Sequence, residues 1–415
     1  MALFDELSWR GLVHDLTDPE LPKLLDIGGM TAYIGFDPSA DSLHIGNLLQ
    51  LCNLRRMQDG GHQVIGLAGG ATGMIGDPGG KSEERNLLDS DTLAENLAGI
   101  RDQIERFLPG AIVVDNAEWT RAMSVLDFLR DVGKHFTINQ MIAKEMVKTR
   151  VEDPDKAISY TEFSYMLLQA MDFLHLFDTH GCRLQMGASD QWGNITMGVE
   201  LIRKVRGETA YGLTTPLVLK SDGTKFGKSV SGTVWLDRRK TSPYQLYQFM
   251  VQSDDAVVGA YLRYFTWLDR ERIEDLDEAT KERPEKREAQ KVLAYEVTDL
   301  VHGKQEANRA AHASTVLFSE EIASLDEQTL LDVFAEAPST TVPREPIAVI
   351  DALARAGLCS SKSDARRQLQ QGAVSLNNRK VTDESATIDP STDTLHGRYA
   401  ILRRGRKQYH LLRFG

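Results

Sequence analysis

Short apolar runs alternate with amphipathic stretches through the first half of the chain. TAYIGF at 31–36, HQVIGLAGG at 62–70 and AIVVDN at 111–116 read as strands. Between them, LLQLCNLRRMQ (48–58) and LAENLAGIRDQIERFL (93–108) repeat their apolar positions every three to four residues, as helices do. This alternation predicts βαβ units around a parallel sheet. Strands that are apolar throughout and end at glycine suit a sheet covered on both faces, here a Rossmann-like doubly wound α/β fold. In such a sheet ligands bind beyond the carboxyl ends of the strands, so chemistry is expected in the turns that follow them.

From about Thr241 to Ala337 the pattern turns helical and charged, with YQLYQFM (244–250), DAVVGAYLRYFTWL (255–268) and KREAQKVLAYEVTDLVHG (286–303) reading as three helices. Three prolines within Pro338–Pro346 then predict a linker, because proline breaks helix and ladder alike. Beyond it, PIAVIDALARAGL places Ile347, Ile350, Leu353 and Ala354 on one helical face, with Gly357 as its stop. Ser361 stands three residues before Asp364, as in a capping box, and opens a second helix. Two hairpins follow, one turning at Asn377-Asn378 and one at Gly405. The predicted domains are therefore 1–220 (α/β catalytic), 221–337 (a lysine loop and helices), 338–346 (linker) and 347–415 (a small α+β module).

At 415 residues two or three cores are expected, and 41% hydrophobic with 26% charged residues is ordinary globular composition. No run of 18 apolar residues occurs and the first segment carries acids, so an intracellular, cytoplasmic protein without a membrane span is expected. Cys52, Cys182 and Cys359 lack CxxC spacing, which argues against disulfides and a zinc site. The net charge of −12 speaks against a nucleic-acid partner until its distribution is considered. Residues 344–415 hold 13 Lys+Arg against 7 Asp+Glu, while the remainder holds 35 against 53. A basic tail follows an acidic body.

Five segments carry candidate chemistry. The first is Tyr33-Ile-Gly35-Phe-Asp37-Pro-Ser39 running on to His44-Ile-Gly46-Asn47, a strand, a turn and a helix start. A helix N-terminus with free N–H groups, a glycine and a histidine donor makes an anion site, although the tetrapeptide alone fits a structural turn equally well. The second, Lys225-Phe-Gly-Lys228-Ser229, is a loop whose lysines could close over a triphosphate or simply face solvent. The third, Gly69 to Ser82, looks like a Walker A loop, but Ile75 stands where that motif demands glycine. It is read instead as a glycine-rich turn that directs Asp77 and Lys81 into one cleft. In the fourth, Tyr165, Gln169 and Asp172 share a helical face among apolar neighbours, a polar pocket that must supply them partners. The fifth, Gln185 to Asn194, is a strand end whose Asp190 and Gln191 suit ribose hydroxyls.

In this order the five resemble the class I aminoacyl-tRNA synthetases, and within them the bacterial tyrosyl-tRNA synthetases, over essentially the whole chain. His44–Asn47 is similar to the family's HIGH element and Lys225–Ser229 to its KMSKS loop, 181 residues apart. The tail resembles the RNA-binding module of a ribosomal protein. The resemblance implies tyrosine activation by ATP with magnesium, then transfer to the terminal adenosine of tRNA(Tyr), in a cytoplasmic homodimer. It implies that Tyr33 and Asp172, partners of one another, hold the tyrosine phenol; that Asp77, Tyr165 and Gln169 hold its ammonium; and that Gln191 lies near its carboxylate. Gly35, Asp37, Ser39, His44, Gly46, Asn47, Asp190 and Lys228 are implied for ATP. Lys81, Arg85, Lys225, Lys228 and Ser229 would meet the leaving pyrophosphate. Arg366, Arg367, Arg403, Arg404, Arg406 and Lys407 would meet RNA. Three positions depart from the family pattern: Asn47 for a second histidine, Gly227 for serine, and Ala188 for glycine. The rivals are a tryptophan-specific synthetase, a non-catalytic synthetase-derived RNA-binding protein, and a nucleotidyltransferase.

Overall fold

The computed structural model describes residues 2–77, 89–153, 158–224, 226–229, 232–317, 319–335, 337–405 and 408–415. The chain divides into two compact units, Met1–Lys240 with Ser253–Ala289, and Thr241–Gln252 with Gln290–Gly415.

The first unit is built on a six-stranded sheet of β1 (Asp15–Leu16), β2 (Thr31–Phe36), β3 (Gln63–Ala68), β4 (Ile112–Asp115), β5 (Cys182–Ala188) and β6 (Tyr211–Thr215), in the order β1-β6-β5-β2-β3-β4. Only β1 runs antiparallel; the others pair in parallel, β2 between β3 and β5. This is the doubly wound α/β sheet expected, and TAYIGF forms β2 in full. The order reverses between β2 and β5, so the turns after these two strands open on a common crevice. Four helices matter to the site: α1 (Ile45–Asp59), α2 (Ser90–Phe107), α3 (Tyr160–His180) and α4 (Trp192–Arg206). Capping explains where α3 begins, since Ser159 accepts from the Glu162 N–H and Glu162 reaches back to Ser159. Gly181 in the left-handed region ends it.

Helices Asp255–Phe265 and Arg270–Glu282 belong to this first unit. Two buried arginines tie them in: Arg10 donates to the carbonyls of Arg263, Thr266 and Leu268, and Arg56 to that of Thr266 at 3.0 Å. Cations on the last carbonyls of a helix complement its dipole. The helical stretch predicted as one layer is thus divided between two cores, because helical periodicity does not reveal which core a helix covers.

The second unit carries a sheet ordered β12-β11-β14-β15-β9. Its strands are β9 (Ser339–Val342), β11 (Val374–Leu376), β12 (Arg379–Val381), β14 (Tyr399–Arg404) and β15 (Gln408–Phe414). The first-unit pair β7 (Lys228–Ser229) and β8 (Gly232–Thr233), and the tail pair β10 (Ile347–Ala348) and β13 (Thr387–Ile388), complete the set. The predicted hairpins are both present: Asn377 and Asn378 take φ of 47° and 64°, as a type I′ turn requires, and Gly405 takes 62°. Ser361 caps the helix Lys362–Gln370 by accepting from the Asp364 N–H at 3.1 Å.

Two readings need correction. The helix begins at Val349, so Ile347 lies in β10 and the buried stripe is Val349, Ala352 and Leu353. The predicted linker is in part a strand, since β9 pairs in parallel with β15. Proline punctuation at 338 and 343 marked the ends of that strand rather than a free tether. A core of Val316, Ile322, Leu325, Leu330 and Phe334 packs with Leu395, Tyr399, Ile401 and Leu411, joining the helices before β9 to the sheet after it.

Candidate functional site

A cavity of about 360 Å³ opens at the ends of β2 and β5. Its lining gathers Tyr33, Gly35, Asp37, His44, Gly46, Asn47, Asp77, Tyr165, Gln169, Asp172, Asp190 and Gln191. These come from all of the sequence-predicted segments except the lysine loop's own cations. Ser39 is exposed and does not line the cavity. Lys81, Arg85 and Lys225 lie outside the described residues, and of Lys228 and Ser229 only the backbone is described.

One wall is a continuous hydrogen-bonded chain. The Tyr165 hydroxyl donates to Asp37 at 3.0 Å, and Thr72 donates to the other oxygen of Asp37 at 3.0 Å. Asn116 donates to Thr72 at 3.1 Å and to Asp172 at 2.9 Å, while Trp119 donates its indole N–H to Asp172 at 2.8 Å. A second hydrogen-bonded chain also lies at the cavity: Gln191 donates to Asp77 at 2.6 Å, and Asn194 donates to both Gln191 and Gln169. Asn116, Trp119, Thr72 and Asn194 were not singled out from sequence as site residues. Their partners come from other elements, 53 and 56 residues away for the two donors on Asp172, and no periodicity encodes such pairing.

Asp172 is almost wholly buried, and burial pushes its carboxyl up to about 7 despite the Asn116 and Trp119 donors that favour the ionised form. Tyr33 is 1% exposed, and its hydroxyl has no hydrogen-bond partner among the described residues. The expected Tyr33–Asp172 partnership is therefore not made internally: Asp172 is satisfied by Asn116 and Trp119. A buried hydroxyl left unpaired costs about 1–3 kcal/mol, so the arrangement favours a ligand that brings the missing partner.

The end of the cavity at the start of α1 is held differently. His44 precedes α1, and the Asn47 side chain accepts from the His44 N–H at 3.2 Å, closing the helix start. That explains what an amide does where the family pattern has a second histidine. Burial pulls the His44 ring below its ordinary value, and its Nδ1 is buried without a partner among the described residues. A side chain at Gly46 would sit 2.9 Å from the His44 ring, so only glycine leaves that ring where it is. Gly227 has a φ of 114°, which explains glycine over serine there. At the end of β3, a Cβ on Gly69 would lie 2.5 Å from Asp37 and from Thr72. The glycine-rich turn thus serves close packing of polar side chains.

Behind the β2–α1 loop stands one face of α2. Asn96 donates to the Pro38 carbonyl at 3.0 Å, and Gln103 accepts from the Leu43 N–H at 2.7 Å while donating to Ser42 at 3.0 Å. Between them, any side chain on Gly99 would collide with the backbone of Asp41. The loop carrying Asp37 to His44 is pinned from outside the cavity.

Comparison with known proteins fits this geometry. The family described as tRNA synthetases class I (W and Y) matches residues 28–319, and a tyrosine–tRNA ligase SYY-like C-terminal domain matches residues 329–412. The tyrosine–tRNA ligase of Roseiflexus castenholzii is 51% identical over 99% of each chain, and that of Bacillus caldotenax 50% identical over 100% of each. The chain belongs to the tyrosine–tRNA ligase family. A truncated mitochondrial tyrosyl-tRNA synthetase from Aspergillus nidulans superposes with a TM-score of 0.67 at 32% identity, covering 76% of this chain and 94% of that one.

In this ligase the tail's candidate cations fall into three groups. Arg366 and Arg367 are exposed on the helix Lys362–Gln370. Arg403 and Arg404 are half-buried on β14, Arg403 donating to Ser375 at 3.3 Å. Arg406 and Lys407 lie outside the described residues.

Proposed function

We propose that the protein joins L-tyrosine to ATP, giving tyrosyl-adenylate and pyrophosphate, and then transfers tyrosine to the 3′-terminal adenosine of tRNA(Tyr). The observation that carries this is the Tyr33 hydroxyl, buried and unpaired, beside buried Asp172 on the lining of one cavity. A phenol brings both a donor and an acceptor to that pair; an indole or a phenyl ring does not. This favours tyrosine over tryptophan.

Asp77, Tyr165 and Gln169 are assigned to the ammonium, and Gln191 to the carboxylate. In the ligand-free protein Gln191 holds Asp77 and Tyr165 leans on Asp37, so these contacts would rearrange or be shared when tyrosine enters. Gly35, Asp37, Ser39, His44, Gly46, Asn47, Asp190 and Lys228 are assigned to ATP, and Lys81, Arg85, Lys225, Lys228 and Ser229 to the pyrophosphate. ATP enters as its magnesium complex. Among the described residues no group of three or more His, Cys, Asp or Glu side chains is placed to hold a metal, and magnesium commonly rides on substrate phosphates.

The tyrosine carboxylate is itself the nucleophile towards the α-phosphate, and pyrophosphate leaves. The protein's part is to position the reactants and to stabilise charge on the phosphoryl oxygens. His44, kept neutral by burial, acts as a hydrogen-bond donor at the start of α1, where free N–H groups and the helix dipole also favour negative charge. The lysine loop supplies the positive charge. The tail arginines are assigned to tRNA, and the protein is placed in the cytoplasm as a homodimer. No described helix is long and apolar enough to cross a membrane.

The deciding experiment is exchange of labelled pyrophosphate into ATP in the presence of each amino acid in turn. Exchange with tyrosine alone is expected. Equal exchange with phenylalanine or tryptophan would remove the role given to Tyr33 and Asp172, and no exchange at all would favour a non-catalytic RNA-binding protein.

A further inference from the structure

The basic tail is organised around an acid. Asp364 lies in the first turn of the helix Lys362–Gln370, its side chain 10% exposed. One carboxylate oxygen accepts from Arg367 Nη2 at 2.8 Å and from Gln368 Nε2 at 3.4 Å. The other accepts from the Ser360 N–H at 3.2 Å and the Ser360 hydroxyl at 3.4 Å, and lies 3.7 Å from Arg404 Nη1. Arg404 is fixed again by donating to the Leu358 carbonyl at 2.6 Å. A helix arginine and a strand arginine, 37 positions apart in sequence, are thereby brought to opposite oxygens of one carboxylate. Arg367 first, and then the Ser360 N–H, hold the Asp364 carboxyl down at about 2, so it stays ionised at neutral pH.

We propose that Asp364 is a positioning residue for RNA: it sets Arg367 and Arg404 side by side so that both guanidiniums meet the phosphates of tRNA. The inference rests on the reading of the tail as the tRNA-binding module. Its physical content is preorganisation. A free arginine loses rotamer freedom when it grips a phosphate, and an arginine already held loses less. Net charge and preorganisation make opposite predictions here. Removing an acid from a basic surface should tighten RNA binding if only charge matters, and loosen it if the acid holds the arginines in place.

The test uses the full chain and tRNA from a bacterial source. Asp364→Asn, Arg367→Ala, Arg404→Ala and Ser361→Ala are compared for the KM of tRNA in aminoacylation, the salt dependence of tRNA binding, and the rate of pyrophosphate exchange. Ser361→Ala removes the helix cap while leaving Asp364, so it reports what a frayed helix start alone would do. Exchange should be unchanged in all four. Asp364→Asn should raise the tRNA KM by about five- to tenfold through lost preorganisation while keeping the wild-type salt slope. Each arginine variant should raise KM and lower that slope by about one. Neutral or tighter binding by Asp364→Asn, with both arginine variants weakened, would overturn the positioning role. So would an equal loss in Ser361→Ala. If neither arginine variant changes KM, it is the tail reading that fails, and the two failures are told apart.

Discussion

The Tyr33–Asp172 end of the cavity and the basic face of the tail use charge in opposite ways. In the cavity, Asp172 is buried, satisfied by Asn116 and Trp119, and pushed towards neutrality; the group left wanting is an uncharged hydroxyl on Tyr33. On the tail, Asp364 is held ionised by Arg367 first and then by the Ser360 N–H, with Arg367 exposed and Arg404 half-buried beside it. Buried groups discriminate because a wrong ligand leaves them unpaired, whereas surface charges attract any phosphate and need geometry to be selective. On the proposed function, one region selects by what it withholds, the other by how it arranges what it offers.

The broadest way to break the comparison is to separate the regions. A chain ended near Ser339 is expected to keep pyrophosphate exchange and to lose aminoacylation of tRNA altogether. It should also bind a hydrophobic dye, because Leu325, Leu330 and Phe334 lose the cover of Leu395, Ile401 and Leu411. Undiminished charging by that fragment at physiological salt would refute the role of the tail.

Within the cavity, Asp172→Ala strips the acceptor from the buried Asn116 and the half-buried Trp119 as well as from the ligand. At about 1–3 kcal/mol for each group left unpaired, kcat/KM for tyrosine should fall on the order of 10³. Thermal unfolding should shift down as well, since Asn116 and Trp119 lose their partner. Gly46→Ala should act on rate rather than on binding. Displacing the His44 ring by a few tenths of an ångström from a charge that appears only in the transition state costs roughly 10² in the rate of adenylate formation. A raised tyrosine dissociation constant at unchanged rate would contradict that placement.

Tyr33→Phe is the gentler probe. Discrimination between tyrosine and phenylalanine should drop about tenfold, the worth of one hydrogen bond, while the ligand-free protein holds or gains up to about 1 kcal/mol because its unpaired hydroxyl is gone. Against this, the wild-type benchmark on the order of 10⁵ is a value measured on tyrosine-specific synthetases and borrowed as such. Loss of stability in Tyr33→Phe would mean that the hydroxyl already has a partner.

The smallest effect expected is a pH inflection. The Asp172 carboxyl, ordinarily near 3.8, retains its proton up to about 7 in the folded protein. Between those values the native state binds the extra proton, so this group's contribution to stability declines as pH rises through the window and levels off above it. The carboxylate accepts from a phenol more strongly than the neutral acid does, so tyrosine affinity should climb a few-fold across pH 7. Asp172→Asn should flatten that profile; an identical inflection in the variant would assign it to another group.

The sheet was legible in the sequence because apolar runs between amphipathic stretches have few other folds open to them. The cavity lining was largely legible through its motifs. The wiring was not. Tyr165 meets Asp37 across 128 positions, and Asn116 sits at a strand end that reads only as AIVVDN, with nothing to show that its amide joins Thr72 to Asp172. Ser339–Val342 was missed as a strand because its parallel partner lies some 70 residues on, with prolines at either side. The division of the helices between two cores was hidden for the same reason: what an amphipathic face packs against is decided elsewhere in the chain.

The face of α2 that pins the β2–α1 loop carries a consequence for inheritance. Asn96, Gly99 and Gln103 touch no substrate on any reading above, yet Gly99 admits no side chain at all beside Asp41. In a library of all single substitutions selected for growth, α2 should therefore show an intolerant stripe of three positions on a helix whose exposed neighbours, such as Glu95, Asp102 and Glu105, drift freely. Lineages diverging from this sequence would be expected to change the outer face of that helix long before they could change the inner one.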